Sequence, residues 1–175
     1  ANFVATSNYQ DVQDPPITVV LKLVDEDAHL AIWTTTPWTV PSNLAVCVGD
    51  DIEYSLVVDE ESGKQIYLAT ERLDQYQGDT EFRVVKTLLG KDLVGRRYEP
   101  VFDYFADKAD EGAFVVISGD YVTTDSGTGL VHQAPAFGEE DYKAFQAAGL
   151  EAFACPVSLH GEFTDEVPDF AGRHV

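Results

Sequence analysis

The sequence is poor in positive charge. It carries 11 Lys and Arg against 31 Asp and Glu, a formal net charge of −20. The cations are scattered, the densest set being Arg83, Lys86, Lys91, Arg96 and Arg97. Such a distribution argues against autonomous nucleic-acid binding, because phosphate contacts need a clustered positive surface. The excess acid reads first as a solvated surface, as in a salt-adapted source. Long apolar runs are also missing. No stretch reaches the roughly 18 apolar residues of a spanning helix, so no membrane segment is expected. The opening ANFVATSNYQDVQDPP has neither the basic start nor the apolar centre of a signal peptide. Cysteine is scarce, with two in the chain. Cys47 and Cys155 both lie in apolar sequence and read as buried free thiols rather than a disulfide. Neither CxxC nor HExxH occurs, so no metal site is expected. The GxSxG elbow of serine hydrolases is absent too.

What remains is enough for one sizeable domain. The chain has 175 residues, a length that can bury its own core. Residues 1–16 form a polar, Pro-terminated segment, and the chain stops in DFAGRHV without a closing element. Both ends therefore read as cuts or joins to something larger, with one domain over 17–175. Runs rich in β-branched residues predict strands at 17–24, 29–35, 44–48, 52–58, 65–69, 82–88, 113–118 and 129–133. The DEESG turn at 59–63 predicts a hairpin. Short helices are expected at 71–77, with Thr70 as N-cap and Gly78 as stop, and at 138–148 ahead of Gly149. Strands dominate and no βαβ alternation is seen. The expected fold is α/β, a mostly antiparallel, barrel-like core with a few short helices.

Three features could carry chemistry. In Thr34-Thr35-Thr36-Pro37-Trp38-Thr39, followed by Pro41-Ser42-Asn43, the prolines force the chain out of a strand and turn hydroxyls toward a cleft. Hydroxyls both donate and accept, so they can hold a water or a ribose; one or two of them could equally be structural. The segment GTGLVHQAPAFGEEDY delivers His132 at the end of an apolar run and, nine residues later, Asp141 at the start of a helix. His132 could be a base, a ligand, a pocket wall or a satisfied core histidine. Glu139 and Glu140 fit the favourable first turn of a helix; Asp141 could face the other way and bind a cation such as an amine. Asp125-Ser126-Gly127-Thr128 matches the aspartic-protease motif, but that chemistry needs a second aspartate sharing a proton, and no second copy exists. Turn chemistry explains the match.

Together, WTTTPWTVPSN and GTGLVHQAPAFGEEDY resemble the two signature segments of the editing domain of isoleucyl-tRNA synthetases, an insertion in that class I catalytic fold. The valyl and leucyl relatives carry Thr-Thr-Arg-Pro where this chain has Thr-Thr-Thr-Pro-Trp-Thr. Ala154-Cys155-Pro156-Val157-Ser158, DFAG at 169–172, and the stretch 90–104 fit as well, so the resemblance covers most of 17–175. It implies a domain excised from a larger synthetase that hydrolyses valine wrongly attached to the isoleucine tRNA, with pre-transfer valyl-adenylate left open as a second substrate. Isoleucine exceeds valine by one methylene, a difference known in such pockets to be worth only about 1–3 kcal/mol. Residue by residue, the resemblance places Thr34, Thr35, Thr36 and Asn43 around the terminal ribose and the attacking water. It places Asp141 on the substrate α-ammonium and His132 in the side-chain pocket, with Trp33 and Phe137 as apolar walls and Thr39 beside them. It further implies a cytoplasmic location and no membrane. The partners it implies are the 3′ end of tRNA(Ile) carrying valine and the remainder of the synthetase. No cofactor is implied in this domain, whereas the parent enzyme would use ATP and Mg. The alternatives are an inactive structural or tRNA 3′-end-binding remnant of the same domain and, remotely, the aspartic-type protease.

Overall fold

The structure, a computed structural model, describes residues 17–77, 82–152 and 154–175. The polar segment 1–16 and the expected helix stop at Gly78 lie outside them. Eight strands form one sheet: β1 (Ile17–Lys22), β2 (His29–Thr34), β3 (Ala45–Val48), β4 (Glu53–Asp59), β5 (Gln65–Ala69), β6 (Phe82–Leu89), β7 (Val115–Ser118) and β8 (Val131–Gln133). Among the described residues two α-helices accompany them, α1 (Leu73–Gln77) and α2 (Glu139–Ala147). Single 3-10 helices cover Pro37–Ser42, Thr70–Arg72, Gly90–Asp92 and Asp103–Glu111.

The sheet runs β6-β4-β5-β2-β8-β3-β7, with β1 on β2 as a side branch. Its geometry turns on β2. Antiparallel β1 covers β2 along its length, from Ile17↔Thr34 to Lys22↔His29. The opposite edge is shared: β5 pairs at His29 and Leu30, β8 at Trp33, both parallel. The sheet therefore forks at β2 into a limb β5-β4-β6 and a limb β8-β3-β7. Four of the seven strand pairings are antiparallel and three parallel. The sheet is thus more mixed than the strand-rich sequence suggested, because the parallel joints are made by strands far apart in the chain. Two contacts hold the limbs together just above the fork. Ala69 N–H donates to Thr128 O at 2.8 Å, and the Tyr54 hydroxyl donates to Gly129 O at 2.5 Å. A Cβ on Gly129 would lie 2.6 Å from that of Ala69, so the close approach requires glycine.

The expected β4–β5 hairpin forms, Tyr54↔Ala69 to Val58↔Gln65. Asp59 closes its turn by accepting Glu61 N–H at 3.0 Å and Ser62 Oγ at 2.9 Å, the usual service of an Asx residue in a turn. Strand β3, Ala-Val-Cys-Val, is paired on both edges and buried at every position, the pattern of a central strand covered on both faces. It joins Leu30, Ile32, Leu44, Tyr54, Tyr67 and Leu130 in the core. The cysteines differ from expectation. Both are free, but Cys47 is buried and Cys155 exposed, since 155 follows α2 in an irregular strap rather than in a strand. Burial pushes the Cys47 thiol up to about 11. Thr70 does not cap α1 either. Its hydroxyl is taken by Ser55 Oγ at 2.7 Å, and the 3-10 turn ahead of α1 starts from Ala69 without a side-chain cap.

Candidate active site

The threonine segment leaves the sheet where Pro37 opens the 3-10 helix Pro37–Ser42. Proline has no N–H for a ladder and suits the first turn of a helix, so β2 ends at Thr34. Thr34 Oγ1 accepts Thr36 N–H at 3.1 Å and lies 3.3 Å from Thr36 Oγ1. Thr36 Oγ1 in turn lies 3.4 Å from Thr39 Oγ1, whose hydroxyl donates to Thr36 O at 2.8 Å. Thr34 and Thr39 are buried, while Thr35 and Thr36 are exposed. The result is a contiguous patch of hydroxyls at the end of a strand, held by its own turn.

The second segment comes from the other side of the fork. β8 carries His132, the chain turns through Ala134–Phe137, and α2 begins after Gly138. Glu139 and Glu140 point outward and are exposed, whereas Asp141 is turned inward and partly covered. Its Oδ2 accepts Ala134 N–H at 3.0 Å. That bond uses one of the two carboxylate oxygens and fixes the other. Burial, helped by nearby Glu140 and opposed by Ala134 N–H, raises the Asp141 carboxyl above the usual range.

His132 is 7% exposed, and both its ring nitrogens are engaged. Nδ1 lies 2.7 Å from Asn43 Nδ2 and Nε2 lies 2.9 Å from Thr39 Oγ1. The direction of these bonds follows from Asn43. Its Nδ2 faces Ala45 O at 3.0 Å, an atom that can only accept, while Tyr98 donates its hydroxyl to Asn43 Oδ1. The second Nδ2 proton goes to His132 Nδ1, which must be bare. The ring proton therefore sits on Nε2 and is donated to Thr39 Oγ1. Burial lowers the imidazole to about 4, so the ring is neutral at physiological pH. With both nitrogens occupied, the ring has carbon left to offer a ligand.

The two segments enclose a cleft of about 330 Å³, within the range of small-ligand sites. Thr34, Thr35, Thr36, Thr39, His132, Asp141, Trp33 and Phe137 all line it. Asn43 does not. Its amide is spent on Ala45, His132 and Tyr98, so it stands behind His132 and cannot meet a ribose directly. Trp38 and Tyr121 also line the cleft and were not anticipated. Trp38 meets Phe137 edge to face, ring centroids 5.0 Å apart; an aromatic residue between two prolines was the available signal. Gly127 floors the cleft at φ +67°, where a Cβ would come within 3.0 Å of the Trp33 ring. Arg72 secures this loop by donating Nε–H to Gly127 O at 2.8 Å. The protease reading fails on geometry: Asp125 is exposed and outside the cleft, whose lining among the described residues holds one carboxylate, Asp141. Among the described residues no group of three or more His, Cys, Asp or Glu is placed to hold a metal, and no helix is long and apolar enough to cross a membrane.

No protein-family model matches the chain. Solved structures share its fold. The GlLeuRS-CP1 crystal structure aligns with a TM-score of 0.63 at 15% identity, over 75% of this chain and 59% of that one. The editing domain of P. knowlesi cytosolic leucyl-tRNA synthetase gives 0.62 at 10% identity, over 75% and 60%. The fold is thus that of the editing domain inserted in class I synthetases. Sequence relatives narrow it further. The isoleucine–tRNA ligase of Bdellovibrio bacteriovorus is 52% identical over 178 residues, and the cytoplasmic one of Saccharomyces cerevisiae 45% over 183. Each covers 100% of this chain, which spans 17% of their length. The chain belongs to the isoleucyl-tRNA synthetase family, as its connective-polypeptide editing domain.

Proposed function

We propose that this domain hydrolyses the ester of valine mischarged onto the isoleucine tRNA. The observation that carries the reading is a carboxylate of the cleft, Asp141, the single one its lining has among the described residues, held by Ala134 N–H across from the threonine hydroxyls. Every aminoacyl ester bears an α-ammonium, and a fixed carboxylate is its natural partner. A carboxylate so engaged is a poor base. His132 is no better, since its imidazole is depressed to about 4 and both nitrogens are occupied. The water is therefore positioned by the Thr34–Thr36 hydroxyls and activated by the free neighbouring hydroxyl of the substrate's own terminal ribose. His132 closes the side-chain pocket with a rigid, neutral edge that admits valine and excludes isoleucine. The domain grips only the 3′ end, and the rest of the synthetase holds the tRNA body, which reconciles a nucleic-acid substrate with a net charge of −20.

The test is deacylation of valyl- and isoleucyl-tRNA(Ile) by the 175-residue chain, with a substrate lacking the adjacent ribose hydroxyl as the third arm. Valyl ester should be cleaved, isoleucyl ester spared, and the deoxy substrate left nearly intact. A chain that binds the 3′ end and cleaves neither ester is a binding remnant. Full-rate cleavage of the deoxy substrate would remove the ribose from the mechanism.

A further inference from the structure

Two residues beneath the cleft take no part in this chemistry, yet they hold its wall. Tyr98 is 2% exposed, and its hydroxyl is spent on Asn43 Oδ1. Phe114 is a buried aromatic residue with φ +60°, a region that bulky side chains rarely occupy unless the surroundings impose it. The twist aims both of its backbone groups at one place. Phe114 N–H donates to Leu44 O at 2.6 Å, next to Asn43. Phe114 O accepts Tyr98 N–H at 3.0 Å, and its ring meets Tyr98 edge to face at 6.1 Å. One strained residue thus grips the backbone beside Asn43 and the tyrosine that grips the Asn43 side chain.

We propose that Tyr98 and Phe114 are positioning residues for the pocket wall, fixing the Asn43 amide and, through it, the tautomer and angle of the His132 ring. The proposal rests on the reading of His132 as the excluding wall. The network has a definite polarity: Tyr98 O–H to Asn43 Oδ1, Asn43 Nδ2 to Ala45 O and His132 Nδ1, His132 Nε2–H to Thr39, and Thr39 O–H to Thr36 O. Removing the Tyr98 hydroxyl leaves Asn43 Oδ1 buried without its donor; Ala45 O still faces Nδ2 and keeps the sense of the amide, but the amide loses the contact that fixes its tilt and swings away from His132 Nδ1. An amide that swings away leaves His132 Nδ1 without its donor, so the ring proton is free to move there. Nε2 becomes an acceptor, and Thr39 must swing its hydroxyl from Thr36 O to the ring. The disturbance therefore reaches the threonine loop as well as the wall.

The experiment compares the 175-residue chain with its Tyr98→Phe variant, which keeps the ring and deletes the donor. Nitrogen NMR of labelled histidine reads the tautomer; deacylation of valyl- and isoleucyl-tRNA(Ile) reads the wall. We expect a bare Nδ1 and protonated Nε2 in the parent chain, mixed tautomers in the variant, and a valyl-to-isoleucyl rate ratio lowered about fivefold, the scale of one lost neutral hydrogen bond. General destabilisation would lower both rates together and leave the ratio alone. An unchanged tautomer, or two rates falling in parallel, overturns the proposal. If the variant does not fold, the parent ring decides: a protonated Nδ1 or a charged ring at neutral pH overturns it, and a bare Nδ1 upholds it. If the parent chain cleaves neither ester, the hydrolase reading fails while the ring spectrum still judges the relay.

Discussion

Replacing Asp141 by Asn tests the cation anchor with little change of volume. An amide oxygen can still accept Ala134 N–H, so the loop between β8 and α2 should keep its shape. What is lost is one charge facing the substrate ammonium. At contact, roughly 3 Å, and an effective dielectric of about 20, that attraction is about 5 kcal/mol before desolvation. Hydrogen bonds to charged groups retain about 1.5–3 kcal/mol net. We therefore expect kcat/KM for valyl-tRNA(Ile) to fall about 30- to 150-fold, equivalent to about 2–3 kcal/mol. Stability should move the other way. Burial raises the Asp141 carboxyl in the folded chain, so folding favours its protonated form. The stability this provides is present below the ordinary carboxylate range and is lost as pH rises through the raised value. At neutral pH the charged carboxylate thus opposes folding, and Asp141→Asn should raise Tm. Steady-state deacylation and thermal unfolding on the same samples decide the matter. A folded variant within about threefold of the parent kcat/KM would refute the anchor, because the loss of a fixed counter-charge cannot be that small.

Three further outcomes follow from the same geometry. His132→Ala should open the wall and let isoleucyl ester in, so the valyl-to-isoleucyl rate ratio falls toward unity; unchanged discrimination would make His132 a structural residue. An NMR titration should find His132 unprotonated down to about 4. Its folded value is depressed below the ordinary 6.5, so its stabilisation is full above that value. It is lost as pH falls toward 4, on the order of 3 kcal/mol in all, and denaturant midpoints of the parent and His132→Gln should converge over that window. Gly127→Ala places a Cβ at φ +67° and 3.0 Å from the Trp33 ring; it should cost about 1–2 kcal/mol, read by urea unfolding, and lower valyl-ester turnover by pushing Trp33 into the cleft.

The sequence made much of the site legible because its pieces are local. Thr34–Thr39 and His132…Asp141 are short segments whose prolines and glycines dictate their turns, and each delivers its side chains to the cleft as expected. Residues that act across the fold were hidden. Nothing in the local pattern of Asn43 reveals that Tyr98, 55 positions later, takes its side-chain oxygen, so a residue expected at the ribose stands instead behind the histidine. Phe114 looks like an ordinary apolar residue at the start of a strand; its left-handed backbone goes with hydrogen bonds to Leu44 and Tyr98 that its local sequence does not announce. The strands were readable from β-branched runs, but the parallel joints of β2 with β5 and β8 were not, since such joints depend on which distant edges meet. The 3-10 segment Asp103–Glu111 escaped because it is polar on average and broken by the non-helical backbone of Phe105, which leaves too short a run for its amphipathic pattern to stand out.

β8 has three residues, and it joins β2 through the one ladder pair Trp33↔Val131. Neighbouring side chains on a strand face opposite ways, and a slip of one position exchanges the faces. The wall is therefore specified by an alignment of strands before it is specified by a side chain. Residues 119–130, which feed β8, can change in composition and length as long as the β3 ladder keeps Val46 opposite His132, whereas a slip of β8 itself by one position would turn His132 away from the cleft and bring Gln133 toward it. On the proposed reading, what the cleft admits is set by register as much as by residue type, and a shift of β8 against β2 and β3 is the change that would most directly alter it.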